Sequence, residues 1–277
     1  MDLIVFDLDG TLLNASSEIS SYTQETLARL ADKGILYTVA TGRTLHASLE
    51  VLQSHPFKLP QAFKNGVVIW SPEHEHYSHH NYLSLSEIQH VLTAIISQGI
   101  TPFMFTVEPG NVHAIYHPPL LTEVEHRLAA DFRSRTGVGV YPAADMPGDA
   151  EITNISALGV PHAVEVIEAL IVNEPALVAY AGTALEGAKL KWIDIHHIEA
   201  SKGNAVDVLK AELGATRVLC FGDSDNDLSM FAVADEAYAP SNAKDEVKKA
   251  ATAVIGHHDE DSVARFLRKR FNLGEDQ

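Results

Sequence analysis

Val5-Phe6-Asp7-Leu8-Asp9-Gly10-Thr11 is the stretch on which the reading of this chain turns. Leu3 to Phe6 form an apolar run without polar alternation, the pattern of a strand buried on both faces of a parallel sheet. The run stops at two carboxylates, a glycine and a hydroxyl. Asp7 and Asp9 are thus expected at the C-terminal end of a central strand, where open α/β sheets bind ligands. Two residues apart in extended chain, they share a face. The same run reads as a turn, or as the opening of a calcium loop, because Asp and Gly suit tight backbone geometry. A calcium loop needs further oxygen ligands where this chain has Leu12, Leu13 and Ala15, so that reading is set aside.

Working outward, Leu27, Leu30 and Ala31 give one apolar helical face, with Ser21 and Gln24 at capping-box spacing, and Ile35 to Ala40 read as a second buried strand. A right-handed crossover between the two strands brings Thr41-Gly42-Arg43 to the sheet edge that carries Asp7. Leu45, Leu49 and Leu52 are expected on one face of the next helix. Asn65-Gly66 lies between apolar runs and is a strong hairpin signal. His74 to His80 are expected as a solvated loop, since nothing in the sequence makes their imidazoles converge on a metal. Further on, Ser201-Lys202-Gly203 opens a helix through Val206, Leu209 and Leu213. Arg217 to Phe221 then form a strand that stops at Gly222-Asp223-Ser224-Asp225-Asn226-Asp227. A third strand end carries carboxylates.

Between these halves the pattern changes. Ser86 is placed to cap a helix through Ile88, Val91, Leu92, Ile95 and Ile96, and alternating strands and helices continue, the last two strands ending at Ile195. The organisation expected is a discontinuous first domain, 1–82 with 191–277, interrupted by a second α/β domain, 83–190.

Charged residues are 21% and hydrophobic ones 46% of the 277, which describes a globular protein and excludes a disordered one. A formal net charge of −17 argues against nucleic-acid and anionic-membrane partners, both of which call for basic patches. The one cysteine, Cys220, excludes an internal disulfide and reads as a small apolar strand residue. With no basic leader and no long apolar segment, a cytoplasmic protein is expected. Oligomeric state is not legible.

Asp7-Leu8-Asp9-Gly10-Thr11-Leu12-Leu13 resembles the first signature of the haloacid dehalogenase-like hydrolases, most of which are magnesium-dependent phosphatases. Thr41-Gly42-Arg43, Ser201-Lys202-Gly203 and the acidic run 222–227 resemble the motifs that follow it, in order. The resemblance spans nearly the whole chain, and the inserted segment is similar to the large C2-type cap, subtype B, of the Cof-like phosphatases. It implies a doubly wound, mostly parallel Rossmann-like core sheet with an inserted α/β cap domain. It further implies Asp7 as nucleophile and Asp9 as general acid and base, and a phosphate- or substrate-binding set of Leu8, Thr41, Gly42, Arg43, Asn65, Lys202 and Asn226. The cofactor implied is Mg²⁺ on Asp7, the Asp9 carbonyl, Asp223 and Asp227. Arg43 reads equally as an ion-pair partner, and Asn65 equally as a plain hairpin residue.

The activity expected is hydrolysis of a small phosphorylated metabolite, a sugar phosphate or phosphorylated cofactor, through an aspartyl-phosphate. A phosphomutase or phosphotransferase of the same superfamily is the alternative, though related mutases generally carry a smaller cap. Receiver-type signalling modules lack so large an insertion, and a non-catalytic binding protein would normally have lost Asp7 or Asp9.

Overall fold

The computed structural model describes residues 1–134, 137–184 and 189–274. In chain order, the first segment holds β1 (Asp2–Phe6), α1 (Ser21–Asp32), β2 (Leu36–Val39), α2 (Leu45–Gln53), β3 (Gln61–Phe63), β4 (Val68–Ser71) and β5 (His76–His80). The middle holds α3 (Leu85–Ser97), β6 (Phe103–Glu108), β7 (Val112–His117), α4 (Glu123–Ser134), β8 (Val138–Pro142), β9 (Glu151–Gly159), α5 (Pro161–Ile171), β10 (Leu177–Thr183) and β11 (Lys191–His197). The last segment holds α6 (Lys202–Glu212), β12 (Arg217–Phe221), α7 (Leu228–Val233), β13 (Glu236–Ala239), α8 (Asp245–Ala250), β14 (Ala253–Val254) and α9 (Ser262–Phe271). The chain divides into two compact units, Met1–His79 with Ala200–Gln277, and His80–Glu199.

The first unit is built on a five-stranded sheet of order β14-β13-β12-β1-β2, parallel at every pairing. Both neighbours of β1 are strands, which is why its sequence has no polar alternation: Leu3, Ile4, Val5 and Phe6 are all fully buried. The strand order reverses between β2 and β12, and this switch point is where doubly wound sheets place their ligands. Helix α1 is capped by the Ser20 side chain, which accepts from Thr23 N, one position ahead of the spacing read in the sequence. In α2 the buried positions are Leu45, Ser48 and Leu52, while Leu49 points to solvent. A small polar residue thus takes the inward place expected of a leucine. The histidine-rich stretch is a strand of a three-stranded sheet, β3-β4-β5, and not a loop.

The second unit carries a six-stranded sheet, β10-β11-β9-β6-β7-β8, antiparallel except between β7 and β8. Its first helix is capped by Ser84, not Ser86, in a capping box with Glu87. The unit runs on to Glu199, past the expected end at 190, because β11 pairs on both sides within this sheet: Ile193 faces Ala181 on β10 and Ala157 on β9. Helices α3 and α5 cover the face of Ile155, Ala157, Ile193 and Ile195. On the other face, α4 covers Phe103 and Ile115 through Ala129 and Phe132.

Candidate active site

Parallel pairing in register aligns the strand ends that carry the acids. Phe6 lies opposite Phe221, and the Asp7 amide donates to the Phe221 carbonyl at 2.9 Å. Beyond Asp7 the chain turns sharply through Gly10, whose φ of +73° suits glycine. A Cβ at this position would lie 2.7 Å from Asp223 Oδ2, so a side chain is excluded twice over. The turn holds the two acidic loops together.

Lys202 is the centre of the cluster. It stands at the first turn of α6, fully buried, with Nζ 2.6 Å from Asp7 Oδ1 and 2.6 Å from Asp227 Oδ1. The other oxygen of Asp227 accepts from the amides of Asp223 and Ser224, at 2.8 and 2.9 Å, and so closes its own loop. Thr11 donates to Asp223 Oδ1 at 3.2 Å. Gly203 has no room for a side chain, since a Cβ would lie 2.4 Å from the Ser229 carbonyl, and this brings α6 close enough for Lys202 to reach both acids.

A second network ties the remaining motifs. The Asn65 amide donates to the Thr41 carbonyl at 2.9 Å, and the Asn65 side-chain oxygen accepts from Asn226 Nδ2 at 2.8 Å. A Cβ on Gly42 would lie 3.2 Å from that same oxygen. Lys64, Asn65 and Gly66 all have positive φ, three consecutive residues in the left-handed region, between antiparallel β3 and β4. The hairpin and the convergence of Asn65 on the motif loops are one feature. Arg43 donates from Nε to Asp9 Oδ2 at 2.7 Å and from Nη2 to Asp9 Oδ1 at 2.5 Å. Leu8 has a fully buried side chain, so only its main chain can face a ligand.

The charges are unbalanced. Oxygens of Asp7, Asp223 and Asp227 lie within 4.8 Å of one another, and the Lys202 ammonium bonds two of the three carboxylates, Asp7 and Asp227. Burial raises Asp7 well above the usual carboxylate range, Lys202 opposes this, and Asp227 and Asp223 add to it. Burial, and then Asp227, raise Asp223 as well. For Lys202, burial works against the charged form, but Asp227 and Asp7 outweigh it and the net direction is upward. Hydrogen bonds to Asp9 raise Arg43. An all-oxygen donor set with surplus negative charge fits a hard divalent cation such as Mg²⁺. Among the described residues this is the group of three metal-binding side chains that converges, and the histidines of β5 form no such group.

Sequence reasoning missed the braces. Thr11 was visible only as part of its motif, and Ser224 and Ser229 carried no signal, because a short hydroxyl side chain declares its partner only in three dimensions. Asn242 reaches from the loop after β13 to the Gly10 carbonyl at 2.8 Å and accepts from the His258 amide.

Residues 4–267 match the family model described as haloacid dehalogenase-like hydrolase. The chain is 27% identical over 287 residues to the 5-amino-6-(5-phospho-D-ribitylamino)uracil phosphatase YitU of Bacillus subtilis (strain 168), covering 98% of each protein. It is 24% identical to the pyridoxal phosphate phosphatase YbhA of Escherichia coli (strain K12), covering 96% of this chain and 97% of that one. A haloacid dehalogenase-like hydrolase from B. subtilis shares the fold with a TM-score of 0.79 at 24% identity, over 97% of this chain and 99% of that one. The HAD subclass IIB sugar phosphatase BT4131 shares it with a TM-score of 0.76 at 21% identity, over 99% and 100%.

Proposed function

The chain belongs to the haloacid dehalogenase-like hydrolases, and from that premise we propose that it is a Mg²⁺-dependent phosphatase of small phosphorylated metabolites. The observation that carries this reading is the Lys202 ammonium shared by Asp7 and Asp227, with Asp223 in ligand range of both acids.

Asp7 attacks phosphorus with a carboxylate oxygen and forms an aspartyl-phosphate as the bond to the leaving alcohol breaks. Asp9 gives its proton to the departing oxygen, then takes one from the water that attacks the same phosphorus, releasing inorganic phosphate and restoring Asp7. Lys202, the Thr41 hydroxyl and the Gly42 amide serve the phosphoryl oxygens. Mg²⁺ held by Asp7, the Asp9 carbonyl and Asp223 supplies charge neutralisation for the phosphoryl group when bound. Asp227 supports this set by bracing the 223–224 amides and Lys202. Asn65 and Asn226 shape the loop edge around Gly42.

The second unit is proposed as the cap that selects the organic part of the substrate. The similarity to phosphatases of a ribityl compound and of pyridoxal phosphate supports a small metabolite as substrate. Cys220 is a buried free thiol, which supports a reducing, cytoplasmic setting. The test is hydrolysis of a panel of phosphorylated metabolites by purified protein, with and without Mg²⁺, ranked by kcat/KM. Release of phosphate from no member of the panel, with folded protein and Mg²⁺ present, would overturn the reading.

A further inference from the structure

A cleft of about 520 Å³ opens within the first unit, between α9 and the loop that follows β14. Its volume is in the range of small-molecule sites. Ile255 and the ring of Phe266 give it an apolar floor, and Phe266 is held by Tyr238 and Phe221, whose ring centroids lie 4.3 and 5.8 Å from its own. Gly256 keeps the loop side open. A Cβ there would lie 3.2 Å from Ser262 Cβ and 3.8 Å from Glu260 Oε2, so the Glu260 carboxylate stands over this end of the cleft.

The charged groups of the walls are unanswered. The chain has 37 acidic and 20 basic side chains, so a cation readily finds an acid, and the neighbours of Lys269 on α9 have done so: Arg268 meets Glu25 at 3.0 Å and Arg270 meets Glu236 at 3.2 Å. Lys269 and Glu260 both line the cleft, yet among the described residues neither is in an ion pair. Arg265 is anchored by its Nε, which donates to the Glu260 main-chain carbonyl at 2.9 Å, and its Nη groups have no acceptor among the described residues. The Ser262 hydroxyl, buried in the same wall, has no partner there either. Opposite charges thus stand apart over an apolar floor, with spare donors between them.

The loop side of the cleft also braces the catalytic turn. The Gly256 carbonyl accepts from the Ser241 amide at 3.0 Å, and the His258 amide donates at 3.1 Å to Asn242, whose Nδ2 reaches the Gly10 carbonyl. His258 Nδ1 meets the Leu13 carbonyl at 2.7 Å.

We propose that this cleft is an effector site for a zwitterion with an apolar body, the chemistry of a free aromatic amino acid. The ammonium lies on Glu260, the carboxylate on Arg265 and Lys269, and the apolar part on Phe266 and Ile255. Turning about its Cα–Cβ bond, Ser262 gains the acceptor it lacks. A plain anion leaves Glu260 unanswered and a plain amine leaves the cations so, which is the basis of selection. By bridging the loop and α9 the ligand fixes the segment that holds the Gly10 turn, and favours the arrangement that keeps Asp7 beside Asp223. The effector role rests on the phosphatase reading, whereas the binding does not.

Equilibrium dialysis of the whole chain against L-phenylalanine, 3-phenylpropanoate and 2-phenylethylamine tests the site, since the last two lack the ammonium and the carboxylate respectively. L-phenylalanine is expected to bind at least about tenfold more tightly than either. E260Q should remove its advantage over 3-phenylpropanoate, and K269M should reduce its advantage over 2-phenylethylamine, with melting temperatures within a few degrees of wild type. In steady-state hydrolysis of a small aryl phosphate, saturating L-phenylalanine should raise kcat/KM about fivefold in wild type and leave E260Q unchanged. No retention of L-phenylalanine, equal retention of the three probes, or affinities unchanged in both variants overturns the site. Binding without a change in kcat/KM overturns the effector role. If wild type hydrolyses no phosphate ester, the phosphatase reading has failed, and the dialysis still decides the site.

Discussion

Arg43 grips both carboxylate oxygens of Asp9 in a bidentate fork, at 2.7 and 2.5 Å, although Asp9 is largely exposed. Exposed ion pairs contribute little to stability, so this one is better understood as orientation of the acid than as cohesion of the fold. The fork also ties Thr41-Gly42-Arg43 to the Asp7 turn.

Arg43→Ala is therefore expected to spare the fold and to lower kcat by about tenfold to a hundredfold on an alkyl phosphate, whose leaving oxygen needs the proton. An aryl phosphate, with its better leaving group, should lose less. Lys at this position should recover only part of the effect, because it cannot form the fork. Equal losses on both substrates would assign Arg43 to phosphoryl binding instead.

Asp7→Asn is expected to drop turnover below about 1% of wild type, because an amide does not form the aspartyl-phosphate. Acid-quenched wild type, mixed with a fast substrate, should show one added phosphoryl group by intact-protein mass spectrometry, and the variant none. A phosphorylated D7N protein would place the nucleophile elsewhere.

Thr11 holds Asp223 in place through its hydroxyl. Thr11→Val keeps the shape and removes the donor, and is expected to weaken the apparent Mg²⁺ affinity by about tenfold to a hundredfold, as loss of a hydrogen bond behind a metal ligand does. The measurement is activity against Mg²⁺ concentration after chelator treatment. An unchanged half-saturation point would remove Thr11 from the metal's support.

Gly66 combines a φ of +91° with a virtual Cβ 2.4 Å from the Ser201 carbonyl. Gly66→Ala adds left-handed strain to a backbone clash, for an expected cost of about 2–4 kcal/mol in urea unfolding. Because Ser201 caps the helix that begins at Lys202, activity should fall further than the population of folded protein does. A loss of under about 0.5 kcal/mol would mean that the Ser201 loop yields freely.

His55 is buried against Tyr37, its Nε2 2.8 Å from the phenolic oxygen, and burial lowers it below its ordinary 6.5. The unfolded chain then binds the proton more readily than the folded one, so stability is full above about 6.5 and falls as pH drops below it. His46 is lowered in the same direction by burial. Melting temperature should decline from pH 7.5 to 5.5, and His55→Gln should shallow that slope without abolishing it. An identical slope in the variant would take His55 out of the acid response.

The parts of this fold that the sequence made legible are those where one physical pattern has one solution. Leu3 to Phe6 and Val218 to Phe221 are apolar without alternation, and only a central parallel strand buries such runs on both faces. Their abrupt polar ends then put Asp7 and Asp223 together. Helical faces were read less well: Leu49 fits the apolar stripe of α2 yet is exposed, because Ser48, one position earlier, is the residue that faces inward. The boundary of the second unit, Glu199 where 190 was expected, was not legible because an alternating strand such as β11 looks the same whichever sheet it joins, and its partners on β9 and β10 are set by tertiary pairing. The Arg43 fork was left open for a similar reason, since an arginine after a strand can point at a phosphate or at a carboxylate with the same local sequence.

The pairing of β1 with β12 carries a consequence in time. Phe6 meets Phe221, so a strand finished in the first moments of synthesis waits for a partner made more than two hundred residues later. At ordinary elongation rates of about 5–20 residues per second that delay is about 10 to 40 s. During it β1 can pair with β2 on one flank only, and its other edge is apolar and open on the ribosome. Asp7 is translated early, but Lys202, Asp223 and Asp227 arrive only with the last third of the chain. A nascent chain halted before α6 therefore has Asp7, which would attack phosphorus, with Asp9 and Arg43 beside it, but lacks Lys202, Asp223 and Asp227.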